Sequence, residues 1–270
     1  MLSDEERSQA AALLARAEAE REPVRPLAET FPAMDVVDSY EIQLINIRSR
    51  LESGAAVLGH KVGLSSKAMQ QMMGVDEPDY GHLLDDMALS EDRPAEVSRY
   101  CYPRVEVEVG FILGEGLPGE GCTEEDVLAA TEYVAPAIEL IDSRIVDWRI
   151  GLVDTIADNA SSAGFVLGKE RVRPDQVDLL GIDARLTRNG EMVAEGRSDA
   201  VLGNPVTAVA WLAQKVAGFG VRLEAGHVIL PGSCTRAIDV RPGDDFHADF
   251  KGLGSVSLSF TADSRNGSDA

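Results

Sequence analysis

Cysteine, histidine and positive charge are all scarce in this sequence of 270 residues. The three cysteines, Cys101, Cys122 and Cys234, are odd in number and lack a C-x-x-C spacing. They argue against a disulfide framework or thiolate zinc site and point to a reducing, cytoplasmic setting. The four histidines, His60, His82, His227 and His247, show no zinc-like spacing, which disfavours zinc. No apolar run approaches the roughly 20 residues of a membrane span, and the start MLSDEERSQAA is too polar for a signal peptide. G-x-G-x-x-G and G-x-S-x-G are both missing, which argues against a dinucleotide-binding sheet and a hydrolase serine nucleophile. Lys and Arg total 25 against 46 Asp and Glu, a formal charge of −21. Such a polyanion repels phosphate backbones and anionic lipid, so neither nucleic acid nor membrane is expected as a partner.

What remains is a globular composition, 44% hydrophobic and 26% charged, in a chain long enough to hide roughly 70–75% of its extended surface on folding. Ser3 and Glu6 form a capping box ahead of a helical run, and VVDSYEIQLINIRSRLESG predicts a second helix closing at Gly54. AAVLGHKVGL reads as a strand breaking at Gly63, and SSKAMQQMMG as a short helix capped by Ser65 or Ser66 and packed through Met69, Met72 and Met73. RVEVEVGFIL and APAIELID are further strands. Asn189-Gly190 supplies the tight turn of a hairpin, and Asn204-Pro205 caps and opens a helix. GHVILPGS, DDFHADF and SVSLSF complete the strands. The fold class is therefore α+β: a helical N-terminal segment (1–55), a strand-dominated mixed β domain (56–262) carrying the chemistry, and a flexible tail (263–270).

The chemistry concentrates in three places. In Arg104-Val-Glu-Val-Glu-Val-Gly110 a strand would project Glu106 and Glu108 from one face; the alternative is a solvent-facing amphipathic strand. Glu139 interrupts the apolar Val134–Ile141 run, where a carboxylate needs a partner or a metal. Three carboxylates and few histidines suit a hard ion, Mg²⁺ or Mn²⁺. Lys61, between Gly59 and Gly63, is either a snorkelling surface lysine or a partly buried proton carrier. Asp79 is its candidate partner, or an ordinary turn aspartate after Pro78. The run from Asp158 to Gly164 holds Ser161 and Ser162, which could cap a turn or bind a substrate oxygen.

Taken in order, GHKVGLSSKAMQQMMGVDEPDYGHLLDDM, YPRVEVEVGFIL, PAIELIDSRIVDW, VDTIADNASSAGFVLG and GLGSVSLSF resemble the 2-hydroxypenta-2,4-dienoate (2-keto-4-pentenoate) hydratases of the fumarylacetoacetate hydrolase superfamily. The resemblance spans roughly residues 35–260. It implies a β-rich fold of that superfamily, Glu106, Glu108 and Glu139 as metal ligands, Lys61 with Asp79 as the acid/base pair, and Ser161 and Leu64 as substrate contacts. It also implies hydration of a 2-hydroxydienoate or a longer homologue in meta-cleavage catabolism of aromatic or steroid rings, by a homo-oligomer that uses a divalent ion and no organic cofactor. A neighbouring pathway decarboxylase or aldolase is a possible associate. Related 4-oxalocrotonate decarboxylases share the site, but there the lysine typically precedes Met-Gly and the pair sits in K-I-E-A-E. Lys61-Val62-Gly63 and Arg104-Val-Glu-Val-Glu look closer to the hydratases without excluding decarboxylation. A carbon–carbon bond hydrolase would need a His/Glu dyad, for which only His60 and His82 are near. A non-catalytic 2-oxo-acid-binding subunit is the alternative from outside enzymes.

The charge is also uneven. Between Arg104 and Arg144 stand ten acids and no Lys or Arg. Three are the implied ligands, and the group from Glu115 to Glu132 reads as a loop and solvated helix face. An anionic keto acid can bind only where a metal and Lys61 reverse the local field.

Overall fold

The computed structural model describes residues 1–67, 70–71 and 74–262. Side-chain caps set the N-terminal helices. Ser3 and Glu6 close the predicted capping box on α1 (Asp4–Glu20), and Asp35 with Asp38 closes another on α3 (Val36–Glu52), while α2 (Leu27–Thr30) is a single turn. Asp38 is fully buried yet accepts from the Leu2 amide at 2.9 Å and from Arg7 Nη2 at 2.7 Å, which ties α1 to α3. Those bonds to Arg7, Asp35 and Leu2 outweigh burial and hold its carboxyl below the usual range. The helical segment shares its apolar core, including Leu14, Leu27, Phe31 and Ile42, with Ile145 and Ala157 of the rest of the chain.

Two sheets form the body. The larger runs β2 (Asp79–Leu84), β1 (Val57–Gly63), β8 (Val228–Leu230), β3 (Arg104–Leu113), β4 (Thr131–Ile141), β5 (Ser162–Leu167), with β9 (Ile238–Asp239) added beside β3. It is mixed: β1 and β8 are parallel, whereas β3 pairs antiparallel with β4, β8 and β9. The smaller sheet has the order β11 (Gly254–Ser259), β10 (Asp245–Phe250), β6 (Asp183–Arg188), β7 (Glu191–Arg197). The strand-dominated α+β expectation therefore holds. So do the hairpin, with Asn189 and Gly190 at φ 55° and 82°, and the helix α6 (Pro205–Ala217), whose Asn204 cap accepts from the Val206 amide at 3.0 Å. Two shorter helices, α4 (Glu124–Ala130) and α5 (Leu152–Ala157), complete the fold. Glu124 and Glu125 are exposed, as read for the solvated acidic face. The predicted helix over SSKAMQQMMG, with its Met69, Met72 and Met73, rests on residues outside the described ones, as does the tail.

The alternation in β3 gives each face a task. Val105, Val107, Val109 and Phe111 enter the main core with Ile138, Leu140, Phe246, Val256 and Leu258. Each such side chain contributes about 1.5–3 kcal/mol on burial. The even-numbered residues turn the other way. That face is not solvent: Glu108 and Glu139 are fully buried, so the amphipathic-surface alternative fails.

Candidate active site

Antiparallel register builds the acidic cluster. Glu106 stands opposite Glu139 across β3 and β4, and Glu108 lies two residues further along the same face. Each of the three carboxylates offers an oxygen within 4.8 Å of the others. Glu108 Oε2 accepts from the Gly232 amide at 2.8 Å, and Glu139 Oε1 accepts from Ser162 Oγ at 2.8 Å. Glu108 Oε1 and Glu139 Oε2 are buried without a hydrogen bond. Hard oxygen donors with unsatisfied lone pairs fit a divalent ion such as Mg²⁺ or Mn²⁺.

Lys61 and Asp79 reach this cluster from β1 and β2. Lys61 is buried, not snorkelling; its Nζ donates to the Ala160 carbonyl at 2.9 Å and lies 3.4 Å from Glu139 Oε2. Asp79 opens β2 opposite Gly63 and is buried, so it is no surface turn residue. Gly63 makes room for it: a Cβ there would overlap Asp79 Oδ1 and stand 3.5 Å from Lys61 Nζ. Lysine and aspartate therefore flank one point on β1.

Burial and mutual charge set the protonation. Glu106 is pushed up to about 7 by burial, with Glu139 and Asp79 adding to the rise and Lys61 opposing it. Glu108 is raised well above the usual range, by burial and then by Glu139 and Glu106. Asp79 is raised by burial, with Lys61 as the main opposing charge. For Lys61, burial alone would lower the value; Glu139, Asp79, Glu106 and Glu108 outweigh it and hold the ammonium charged. One ammonium against four carboxylates leaves the cluster short of positive charge.

The loop before β5 takes an uncommon path. Asn159, Ala160 and Ser161 have φ of 54°, 49° and 58°, three successive non-glycine residues in the left-handed region. The Asn159 side chain clamps the turn to β2, accepting from the His82 amide at 2.8 Å and donating to the His82 carbonyl at 3.0 Å. Gly81 permits the approach, since a Cβ there would overlap the Asn159 carbonyl. Behind it, buried Asp158 accepts from the Arg144 amide at 2.9 Å and from its Nε at 2.5 Å. The turn aims the Ala160 carbonyl at Lys61 and Ser162 at Glu139.

The structure thus brings Lys61, Asp79, Glu106, Glu108 and Glu139 into one cluster. Leu64 follows Gly63 with φ 52°, its carbonyl accepting from Gln70 Nε2 at 2.9 Å. Ser161 is buried with its Oγ 3.5 Å from Thr155 Oγ1, so it is Ser162 that touches the triad directly. The sequence offers Ser162, with Ser161, as a turn cap or a substrate contact, but not as a donor to Glu139, and it gives the Ala160 carbonyl and the Gly232 amide no role. Three histidines scattered in sequence also converge: the His60 ring lies 4.7 Å from that of His82 and 5.8 Å from that of His227. They occupy the face of β1 opposite Lys61, where Gln43 of α3 meets His82 Nδ1 at 3.0 Å.

Comparison with known proteins places the chain in a family. The family model for the C-terminal region of fumarylacetoacetate (FAA) hydrolase matches residues 68–260. The chain is 43% identical over 266 residues to the 2-keto-4-pentenoate hydratase of Paraburkholderia xenovorans (strain LB400), covering 98% of this chain and 99% of that protein. It is 43% identical over 253 residues to the 2-oxo-hept-4-ene-1,7-dioate hydratase of Escherichia coli, covering 92% and 95%. Its structure is similar to that of 4-oxalocrotonate decarboxylase from Pseudomonas putida G7 complexed with magnesium and adipate. There the TM-score is 0.92 at 36% identity, over 96% of this chain and 99% of that one.

Proposed function

The chain belongs to the fumarylacetoacetate hydrolase family, and from that premise we propose that it is a divalent-metal-dependent hydratase of 2-hydroxypenta-2,4-dienoate or a longer homologue. The product is the 4-hydroxy-2-oxo acid, an intermediate of ring-cleavage catabolism. One observation carries the reading: a carboxylate triad, two of its members fully buried with unsatisfied oxygens, sits beside a buried Lys–Asp pair. Glu106, Glu108 and Glu139 hold the ion. When bound, the ion supplies Lewis-acid stabilisation of negative charge on the substrate's carboxylate and 2-oxygen.

The rest falls to the chain's own groups. Ketonisation removes the proton of the 2-hydroxyl and adds one at C5; hydration then puts hydroxyl on C4 and hydrogen on C3. Lys61 and Asp79 move these protons, the lysine as charged donor and the carboxylate as acceptor, each restored by the other. The Ala160 carbonyl orients the ammonium, and Ser162 fixes Glu139. Burial of both charged groups strengthens their action on the substrate.

The test is to incubate the protein with freshly generated 2-hydroxypenta-2,4-dienoate and Mg²⁺ or Mn²⁺, following dienol absorbance together with product. Formation of 4-hydroxy-2-oxopentanoate, abolished by chelation, is expected. Bleaching without the hydroxy acid would refute hydration, because tautomerisation alone also bleaches the dienol. The structural likeness to the decarboxylase supports a second reading, decarboxylation of 4-oxalocrotonate, which CO₂ release would distinguish.

A further inference from the structure

Depth in the site is graded. Lys61, Asp79, Glu108 and Glu139 are buried, whereas Glu106, Gly63 and Leu64 are partly exposed. Gly63 ends β1, Asp79 opens β2, Glu106 lies near the start of β3 and Gly232 follows β8, so the strand directions put all four at one end of the sheet. Access is from that end. One same-face step outward from Glu106 along β3, roughly 6.5–7 Å, stands Arg104. Its guanidinium lies 4.4 Å over the Trp148 ring, and its Nε donates to Asp239 Oδ1 at 2.7 Å. Trp148 is fixed in turn: its Nε1 donates to the Tyr102 carbonyl at 3.1 Å, and Asp147 and Trp148 both hold left-handed φ, at 54° and 55°. Left-handed backbone costs roughly 1–2 kcal/mol per residue, so the surrounding contacts hold the indole where it is.

We propose that Arg104, Trp148 and Asp239 form the subsite for the carbon tail of the substrate and select dienoates whose tail is uncharged. The inference rests on the hydratase reading, which sends the carboxylate and 2-oxygen of the substrate to the ion that Glu106, Glu108 and Glu139 would hold, with the reacting carbons beside Lys61. The tail then points outward past Glu106 to Arg104. Arg104 offers no free charge there: Asp239 neutralises it and the indole covers one face of it. A second carboxylate would have to compete with Asp239 and approach Glu106, whereas an alkyl tail packs against the indole without either penalty.

The decisive measurement is calorimetric binding of 2-oxopentanoate and 2-oxoglutarate to the full-length, Mg²⁺-loaded protein, because these acids differ only in methyl against carboxylate at C5. The wild type is expected to prefer 2-oxopentanoate by about fivefold or more, the scale of one partly exposed ion pair. Asp239→Asn should shift the ratio about fivefold toward 2-oxoglutarate, and adding Arg104→Gln to it should cancel the shift. Equal or tighter wild-type binding of 2-oxoglutarate, or a ratio unmoved by Asp239→Asn, overturns the subsite. Turnover of 2-hydroxyhexa-2,4-dienoate against 2-hydroxyhepta-2,4-diene-1,7-dioate separates the two ideas. If binding ratios behave as expected and neither dienoate is hydrated, the hydratase reading falls and the subsite stands. Hydration with a flat ratio removes the subsite alone, and failure of the wild type to bind either acid removes both.

Discussion

Lys61 is the residue on which the local electrostatics turn. A lysine this buried would ordinarily shed its proton, and it keeps it because four carboxylates surround it. The position of Asp79 is as constrained, and Gly63 is what allows it. Gly63→Ala should therefore cut kcat by roughly 100-fold, the scale of a displaced general acid or base, because the new methyl would occupy the place of Asp79 Oδ1. Steady-state kinetics alongside thermal melting would check this; a folded Gly63→Ala protein with near-normal kcat would show that Asp79 need not stand there. At this scale the sequence was informative about the glutamates and about the glycine-flanked lysine, because a charge inside an apolar strand demands a partner. It was not informative about Ser162 or the Gly232 amide. Which of two adjacent serines faces a carboxylate depends on the loop's dihedrals, and a backbone amide leaves no mark in composition.

Between residue and fold, the left-handed turn of Asn159, Ala160 and Ser161 is the element that joins Lys61 to the carboxylate triad. Its backbone cost is met by the Asn159 clamp on β2 and the Arg144–Asp158 pair behind it. Asn159→Ala should release the turn, lowering kcat at least tenfold while also weakening metal binding, since Ala160 serves Lys61 and Ser162 serves Glu139. Ala160→Gly is the opposite probe. Relief of roughly 1–2 kcal/mol of left-handed strain outweighs roughly 0.5–1 kcal/mol of added backbone entropy, so this variant should melt no lower than the wild type and keep its activity. Calorimetric metal titration and melting curves would check both; an Asn159→Ala enzyme with unchanged kcat and metal affinity would make the turn a bystander. The helices were legible where a local device starts them, as at Ser3 and Asn204, and the hairpin at Asn189-Gly190 is equally local. β2 was not: all six residues of Asp79–Leu84 are buried, so no period-two pattern exists to read. The turn stayed hidden because alanine carries no left-handed preference.

Across the whole molecule, the net charge of −21 becomes a statement about metal and pH. Without an ion, Glu106, Glu108 and Asp79 all titrate higher in the folded chain than their ordinary values, so these three groups hold more protons in the folded state than in the unfolded one. Their contribution to stability is then fully present below the unfolded value of 4.5 for glutamate and is lost as pH rises through about 7, where folded Glu106 titrates. Two sets of groups have the opposite sign: Asp38, whose contribution is lost only in acid below its ordinary 3.8, and His60, His82 and His227, which burial holds below their ordinary 6.5 and whose cost to stability is gone once pH passes that value. Above about pH 7, where the histidines are neutral in both states, the chelated protein should therefore melt at progressively lower temperature up to about pH 8. A divalent ion replaces the missing protons as counter-charge, so saturating Mg²⁺ or Mn²⁺ should flatten the slope. At 100 times the dissociation constant it should add about 2.7 kcal/mol, or roughly 5–10 °C for a chain of this size. Glu108→Gln should reproduce part of the flattening in the chelated protein while weakening the response to metal. Scanning fluorimetry across that pH range, with chelator and with metal, reads all three curves. A chelated wild type whose melting temperature rises toward pH 8 would mean that the triad is not the uncompensated charge the geometry makes it.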